Sequence, residues 1–210
     1  MFKPSRLVVF LFAVLLSGAA GPAWAASMDS AGGKQALRVV GDFHVTLLDV
    51  MKNAKALGIK GRYERFAPEI ARRFDSKLMV ALATGRYWRR AAPAQRQNLV
   101  AAFRRLNTAT YAARFTGYSG QKFELLSVEP GPRGTLIVRS RIVEPRARPV
   151  ALNYVLRKSA AGWRIIDVLV KSGISELAVR RSEYRAILKS GGVPRLVRSL
   201  NAKATRLLGR

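Results

Sequence analysis

The sequence predicts an α+β domain: an antiparallel sheet of about four strands packed against several helices, cone-shaped in outline. Three observations carry this. Apolar residues recur at three- and four-residue intervals from residue 36 to about 115. The period then drops to two between residues 122 and 171, and helical spacing returns beyond 176. The separators between the alternating segments are short, which permits hairpins but not the long crossovers of a parallel sheet. Helices followed by a run of strands place the helices against one sheet face.

Taken in order, residues 1–25 carry the parts of a secretory signal. Lys3 and Arg6 precede an apolar stretch over 7–16; Pro22 breaks it, and Ala23-Trp24-Ala25 supplies a small-x-small cleavage site. The stretch is shorter than the roughly 20 residues a membrane span requires. Residues 26–35 are small and polar and read as a flexible lead-in, leaving 36–210 as one domain without internal repeats. In the first helix Val40, Phe43, Leu47, Val50, Met51 and Ala54 share a face and Gly58 closes it. A second helix is expected over 63–74, and a short third over 76–84 with Ser76 as its cap. The fourth begins at Pro93, buries Leu99, Val100, Phe103, Leu106, Ala109 and Thr110, and stops near Gly117. Strands follow over 122–128, 136–143, 150–158 and 163–171, divided by Pro130-Gly131-Pro132, Glu144-Pro145 and Ser159-Ala160-Ala161-Gly162. A helix over 176–189, the breaker Gly191-Gly192 and a last helix over 195–208 complete the chain.

Composition excludes several kinds of chemistry. There is no cysteine, hence no disulfide, thiolate metal site, cysteine nucleophile or acylated N-terminal cysteine of a lipoprotein. His44 is the single histidine, so neither a His/Cys metal cluster nor a Ser–His–Asp constellation is expected unless His44 is its base. A helix-surface or capping position is the expectation for it. Gly117-Tyr118-Ser119-Gly120 follows a helix and lacks the strand–turn–helix setting of a nucleophile elbow. No metal and no cofactor is expected. The balance of 38 Lys and Arg against 12 Asp and Glu gives a formal charge of +26, two charges of which lie in the signal. Such a chain is drawn to polyanions; in an exported protein that favours anionic lipid surfaces over nucleic acid. The arginines are scattered along the chain, and their pattern is equally that of a solvated basic surface.

A carboxylate enzyme would need an acid in an apolar pocket. Asp167 is the candidate, because alternation puts it on the face of Trp163, Ile165 and Leu169; the structural alternative is an arginine partner or an acceptor for backbone N–H groups. What remains is an apolar and aromatic set: Phe66, Leu78, Leu82, Leu99, Phe103, Leu106, Tyr111 and Phe115 on the helices, and Phe123, Leu125, Leu152, Tyr154, Leu156, Trp163 and Ile165 on the sheet. Periodicity permits these to line a cavity or to fill a solid core.

The ordered runs carry a resemblance. Phe103 and Leu106, Thr110-Tyr111-Ala112, Phe115 and Gly117-Tyr118-Ser119-Gly120-Gln121 are followed by Gly162-Trp163-Arg164-Ile165-Ile166-Asp167-Val168, Gly173-Ile174-Ser175, Arg181-Ser182-Glu183-Tyr184, Leu188 and Gly191-Gly192. This set resembles the MlaC/toluene-tolerance auxiliary family of periplasmic lipid-binding proteins across nearly the whole mature chain. Val50-Met51-Lys52, Ala54, Ala56-Leu57-Gly58, Gly61-Arg62-Tyr63, Thr110 to Phe115, Val150-Ala151-Leu152-Asn153-Tyr154 and Ile174-Ser175-Glu176-Leu177-Ala178 resemble its hopanoid-associated HpnM branch. The resemblance implies an NTF2/cystatin-like fold with helical additions and a monomeric, non-enzymatic periplasmic carrier. Its implied cargo is a phospholipid or a hopanoid, held in a cavity between helices and sheet and moved between envelope membranes, with passing contacts to membranes and transport proteins. Tyr154, Trp163 and Phe103 would wall a cavity for a flat hopanoid. Two other functions stay open on the residues: a small-molecule isomerase or lyase built on Asp167, and a basic envelope adaptor with no cavity.

Overall fold

The computed structural model describes residues 30–209 apart from residue 172, so the signal and most of the lead-in lie outside the described residues. Helix α1 (Ala31–Lys52) starts earlier than periodicity suggested, because the Ser30 hydroxyl accepts the Gly33 N–H at 3.0 Å and caps it. Small residues there satisfy a close approach: a Cβ on Gly32 would sit 3.4 Å from the Trp163 ring. Helix α2 (Ala54–Arg73) follows after Asn53 and bends at Gly58, whose φ of 57° is open to glycine. Buried Arg73 clasps α1 to α2 through Glu69 at 2.6 Å and Asp42 at 3.3 Å. Helix α3 (Ser76–Thr84) is capped by Asp75, not Ser76: Asp75 Oδ1 accepts the Leu78 N–H at 2.9 Å. Gly85, at φ 53°, turns the chain into the short α4 (Arg86–Arg90), which sequence spacing did not reveal. Helix α5 (Pro93–Arg114) has its proline in the first turn as expected, and the Gln95 side chain accepts the Ala92 N–H at 3.1 Å.

Five strands form one antiparallel meander in chain order: β1 (Lys122–Pro130), β2 (Thr135–Val143), β3 (Val150–Ser159), β4 (Gly162–Val170) and the two-residue β5 (Ile174–Ser175). The first four were expected; β5 is too short to carry a period. Helix α6 (Glu176–Leu208) spans both C-terminal helices of the sequence reading, bent where Gly192 takes φ 61°. Its first turn is capped twice, by Ser175 Oγ on the Ala178 N–H at 2.9 Å and by Asp167 Oδ1 on the Leu177 N–H at 3.0 Å.

Helix α1 lies between α2 and the sheet, and α5 packs against α2, α3 and α6. Val40, Phe43 and Leu47 of α1, Phe66 and Ile70 of α2, Leu99 and Phe103 of α5, Tyr154 and Leu156 of β3, Ile165 of β4 and Leu196 of α6 meet with no exposed surface. Arginines tie the elements through main-chain carbonyls: Arg62 to Ala112 O at 2.8 Å and Arg105 to Asn201 O at 2.9 Å between helices, and Arg164 of β4 to Ala71 O of α2 at 3.0 Å. No described helix is long and apolar enough to cross a membrane.

Candidate functional site

Between the C-terminal half of α5, the first turns of α6 and strands β3 and β4 the core is incomplete. A cavity of about 70 Å³ lies there. Its sheet wall is aliphatic, from Leu152, Val168 and Val170, and its helix wall is aromatic, from Phe74, Tyr111 and Phe115, with Met79 and Leu177 also in the lining. Tyr111 and Phe115 stack at 5.8 Å with planes 9° apart, and Tyr111 also meets Phe43 at 5.3 Å and Phe66 at 5.8 Å. Burial raises the Tyr111 phenol well above its ordinary pKa, so it stays neutral in the cavity wall.

The mouth is charged. Arg114 Nη1 donates to Glu176 Oε1 at 3.0 Å, and Arg180 donates to Asn107 Oδ1 at 3.0 Å while lying 5.1 Å over the Phe103 ring. Asn107 Nδ2 is buried with no partner, an arrangement that costs about 1–3 kcal/mol. A wider groove of about 420 Å³ shares Thr110, Arg114, Glu176 and Arg180 with the cavity, so the two adjoin across this ion-paired rim. Ile174 and Val179 line the groove and remain 49% and 43% exposed. The site is therefore an apolar interior, a cationic rim and an apolar lip.

Of the candidate residues, Tyr111, Phe115 and Leu152 line the cavity. Leu106 borders the outer groove. Phe66, Leu99, Phe103, Tyr154, Leu156 and Ile165 fill the solid core. Trp163 packs on α1 at Gly32 instead of forming a cavity wall. Phe123 stacks on His44 with centroids 4.6 Å apart. Leu78 sits half-buried in a surface groove near Trp88, and Leu82 is 45% exposed. In so short a helix the period left two faces open; Met79, Val80 and Ala83 are the buried one, turning Leu78 and Leu82 outward. Leu125 is 40% exposed just before a β-bulge that shifts the register between Leu125 and Ser127.

A second bulge corrects the placing of Asp167. On β4, Ile165 pairs with Leu156 but Asp167 pairs with Val155, so Ile166 is the extra residue. The bulge moves Val168 and Val170 into the cavity wall and Asp167 off that face. The Asp167 carboxylate accepts from Ser175 Oγ at 2.5 Å and from the Val168 and Leu177 N–H groups, outside the cavity. Its role as an acceptor for backbone N–H groups is thus the structural one, and the observation the lyase reading required is not met. His44 is likewise no surface residue: it is 4% exposed, with Nε2 3.2 Å from the Tyr154 hydroxyl. Both sides of α1 are covered, one by the sheet and one by α2, so the residue beside Phe43 is also buried.

Among the described residues no cluster of His, Asp or Glu has the makings of a metal site. The resemblance implies basic residues at the mouth, but sequence reasoning did not identify which ones form the rim. Arg114 and Glu176 are 62 positions apart, and no local pattern announces their pairing. Val168 and Val170 had a signal, the β-branched alternation of the strand, but it read in the wrong phase across the bulge.

An antiparallel sheet with helices on one face, enclosing an apolar cavity behind a basic rim, defines a class of α+β proteins with a water-excluding interior. Within that class the chain belongs to the MlaC protein family, whose profile matches residues 42–202. It is also similar to the solved structure of a phospholipid-binding protein from Ralstonia solanacearum in complex with a phospholipid. The TM-score is 0.72 and the identity 26%, over 82% of this chain and 98% of that chain.

Proposed function

We propose that this protein is a periplasmic carrier that takes a phospholipid into the cavity between α5, α6 and the sheet and moves it between envelope membranes. The observation that carries the reading is the apolar cavity opening on the Arg114–Glu176 and Arg180 rim. Acyl methylenes withdrawn from water gain roughly 0.8 kcal/mol each, so depth and apolarity suffice for the tail. The headgroup phosphate stays at the rim, where guanidinium groups supply charge-assisted hydrogen bonds. Membership of the MlaC family and the phospholipid held by the Ralstonia solanacearum protein support the cargo class. The reading of residues 1–25 as a cleaved signal supports a periplasmic location for the mature chain.

The aromatic wall of the cavity is built from residues other than those expected for a hopanoid. Tyr154 and Phe103 are solid core and Trp163 packs on α1, so the expected aromatic walls do not face the cavity. At about 70 Å³ the cavity holds roughly two waters' worth of space, far below the ~300 Å³ of an ordinary ligand site. Loading therefore separates α6 from β4 and α5, which enlarges the cavity toward the outer groove.

Native mass spectrometry of protein purified from periplasm tests the reading. A phospholipid bound one to one is expected, and Leu177→Trp, which fills the cavity, is expected to reduce recovery at least about tenfold while the chain stays folded. Protein that emerges empty and takes up no phospholipid in vitro overturns it; recovery of a hopanoid alone reassigns the cargo.

A further inference from the structure

A second concavity borders an adjoining face of α6. It measures about 470 Å³ and is lined by Arg86 and Arg89 of α4, Arg181 and Arg185 of α6, and Tyr87 between them. Among its lining residues there is no acid. In a chain this basic an unpaired arginine is unremarkable; four facing one hollow is a different matter. Ten other arginines of the fold have defined partners, whereas exposed ones such as Arg38, Arg90, Arg104 and Arg198 stand singly without one among the described residues. Arg62, Arg96, Arg105 and Arg164 bind main-chain carbonyls, and Arg65, Arg72, Arg73, Arg114, Arg139 and Arg141 pair with carboxylates. Among the described residues the side chains of Arg89, Arg181 and Arg185 have no hydrogen bond or ion pair, and Arg86 only overlies the Tyr87 ring at 5.5 Å.

The sequence builds this convergence locally. The φ of 53° at Gly85 turns α4 back toward α6, and a Cβ there would touch nothing, so the glycine serves the turn itself. Arg86 and Arg89 are three apart on α4, and Arg181 and Arg185 four apart on α6, so each pair shares one helix face. Like charges gathered in one hollow repel, and an anion relieves that cost.

We propose that this groove docks the protein on an anionic membrane surface, with lipid phosphate groups seated among the four guanidiniums. The choice of a membrane over another polyanion rests on the carrier reading and on position. One turn of α6 borders both sites: Leu177 and Arg180 face the cavity, and Arg181 faces the groove. A helix is about 10 Å across, so a bilayer held at the groove lies next to the cavity mouth. The exposed apolar lip of Ile174 and Val179 stands on the mouth side, where cargo must pass. Cationic contact on one flank and apolar contact on the other is how interfacial helices bind headgroups.

Co-sedimentation with vesicles tests this, using phosphatidylcholine alone and phosphatidylcholine mixed with phosphatidylglycerol. Binding to the mixed vesicles alone, weakened by salt, is expected. Replacing Arg86, Arg89, Arg181 and Arg185 with Gln is expected to weaken it at least about tenfold. A control with the same loss of charge replaces Arg133, Arg146, Arg148 and Lys158, exposed on the sheet and its loops, and is expected to retain most binding. Uptake of a soluble short-chain phospholipid is expected to be unchanged in both variants, which separates the groove from the cavity: failure there counts against the carrier, not the dock. Equal loss in the two variants would show diffuse attraction and overturn the proposal. So would binding of pyrophosphate at the groove without any vesicle binding, which assigns it to a soluble anion, or binding of an acidic protein with vesicles ignored.

Discussion

Burial against Phe123 and Tyr154 of the sheet lowers the His44 pKa from 6.5 to about 4, because desolvation penalises the imidazolium. The unfolded chain therefore binds a proton that the folded chain refuses as pH falls from 6.5 toward 4. Stability from this residue is complete above the unfolded pKa and is lost progressively through that window, by about 3 kcal/mol at most. Urea unfolding at a series of pH values is expected to show the decline, and His44→Gln, which cannot ionise, to flatten it; an unchanged slope in the variant would place the titration elsewhere. Asp167 illustrates the same dependence on surroundings. Its place on a strand was legible, but Ser175 and the Leu177 N–H, which engage it beside the N–H of its neighbour Val168, come from the fold.

At the scale of elements, the long apolar periods translated directly into α1, α5 and the first four strands, since burial of one face is what creates both the period and the element. The failures share a cause: one residue or one turn that local pattern does not register. Single extra residues near Leu126 and at Ile166 inverted the phase of what followed, and α4 and β5 are too short to have a phase. Gly191-Gly192 separates the two helical stretches of α6, as the sequence indicates, because both glycines leave helical backbone geometry. Gly192 holds φ 61° and ψ −160°, a region other residues seldom enter, while an added Cβ would meet only Pro194 at 3.8 Å. Gly192→Ala is therefore expected to cost about 1–3 kcal/mol through backbone strain alone. Gly117→Ala, with ordinary φ and open space, is expected to be neutral, and paired thermal melts distinguish the two.

At the scale of the molecule, the site is a place where helices and sheet stop short of filling their interface. A cavity of about 70 Å³ must widen to admit a lipid, so loading and the arrangement of α5 and α6 are linked. Phospholipid at about 100 times its Kd is expected to stabilise the fold by about 2.7 kcal/mol and to raise the melting temperature by several degrees. Hydrogen exchange is expected to change in the last turns of α5 and the first of α6 and to stay constant in β1 and β2, which are remote from the cavity. Uniform protection across the sheet would instead indicate a rigid-body or peripheral mode of binding.

By itself the sequence determined the class of fold, the order of its elements, the excess of positive charge and the lack of thiol chemistry, because each is written in local composition and period. Ordered motifs spread along the chain also pointed to the family. Whether the apolar set fills a core or lines a cavity was decided only in three dimensions. Tyr111, Phe115 and Leu152 face a void while Phe103, Tyr154 and Leu156 do not, and nothing in their spacing differs. A period reports that a side chain avoids water; it does not report what stands opposite. That depends on two bulges, on glycine turns and on partners such as Arg114 and Glu176, which meet only when the chain has folded.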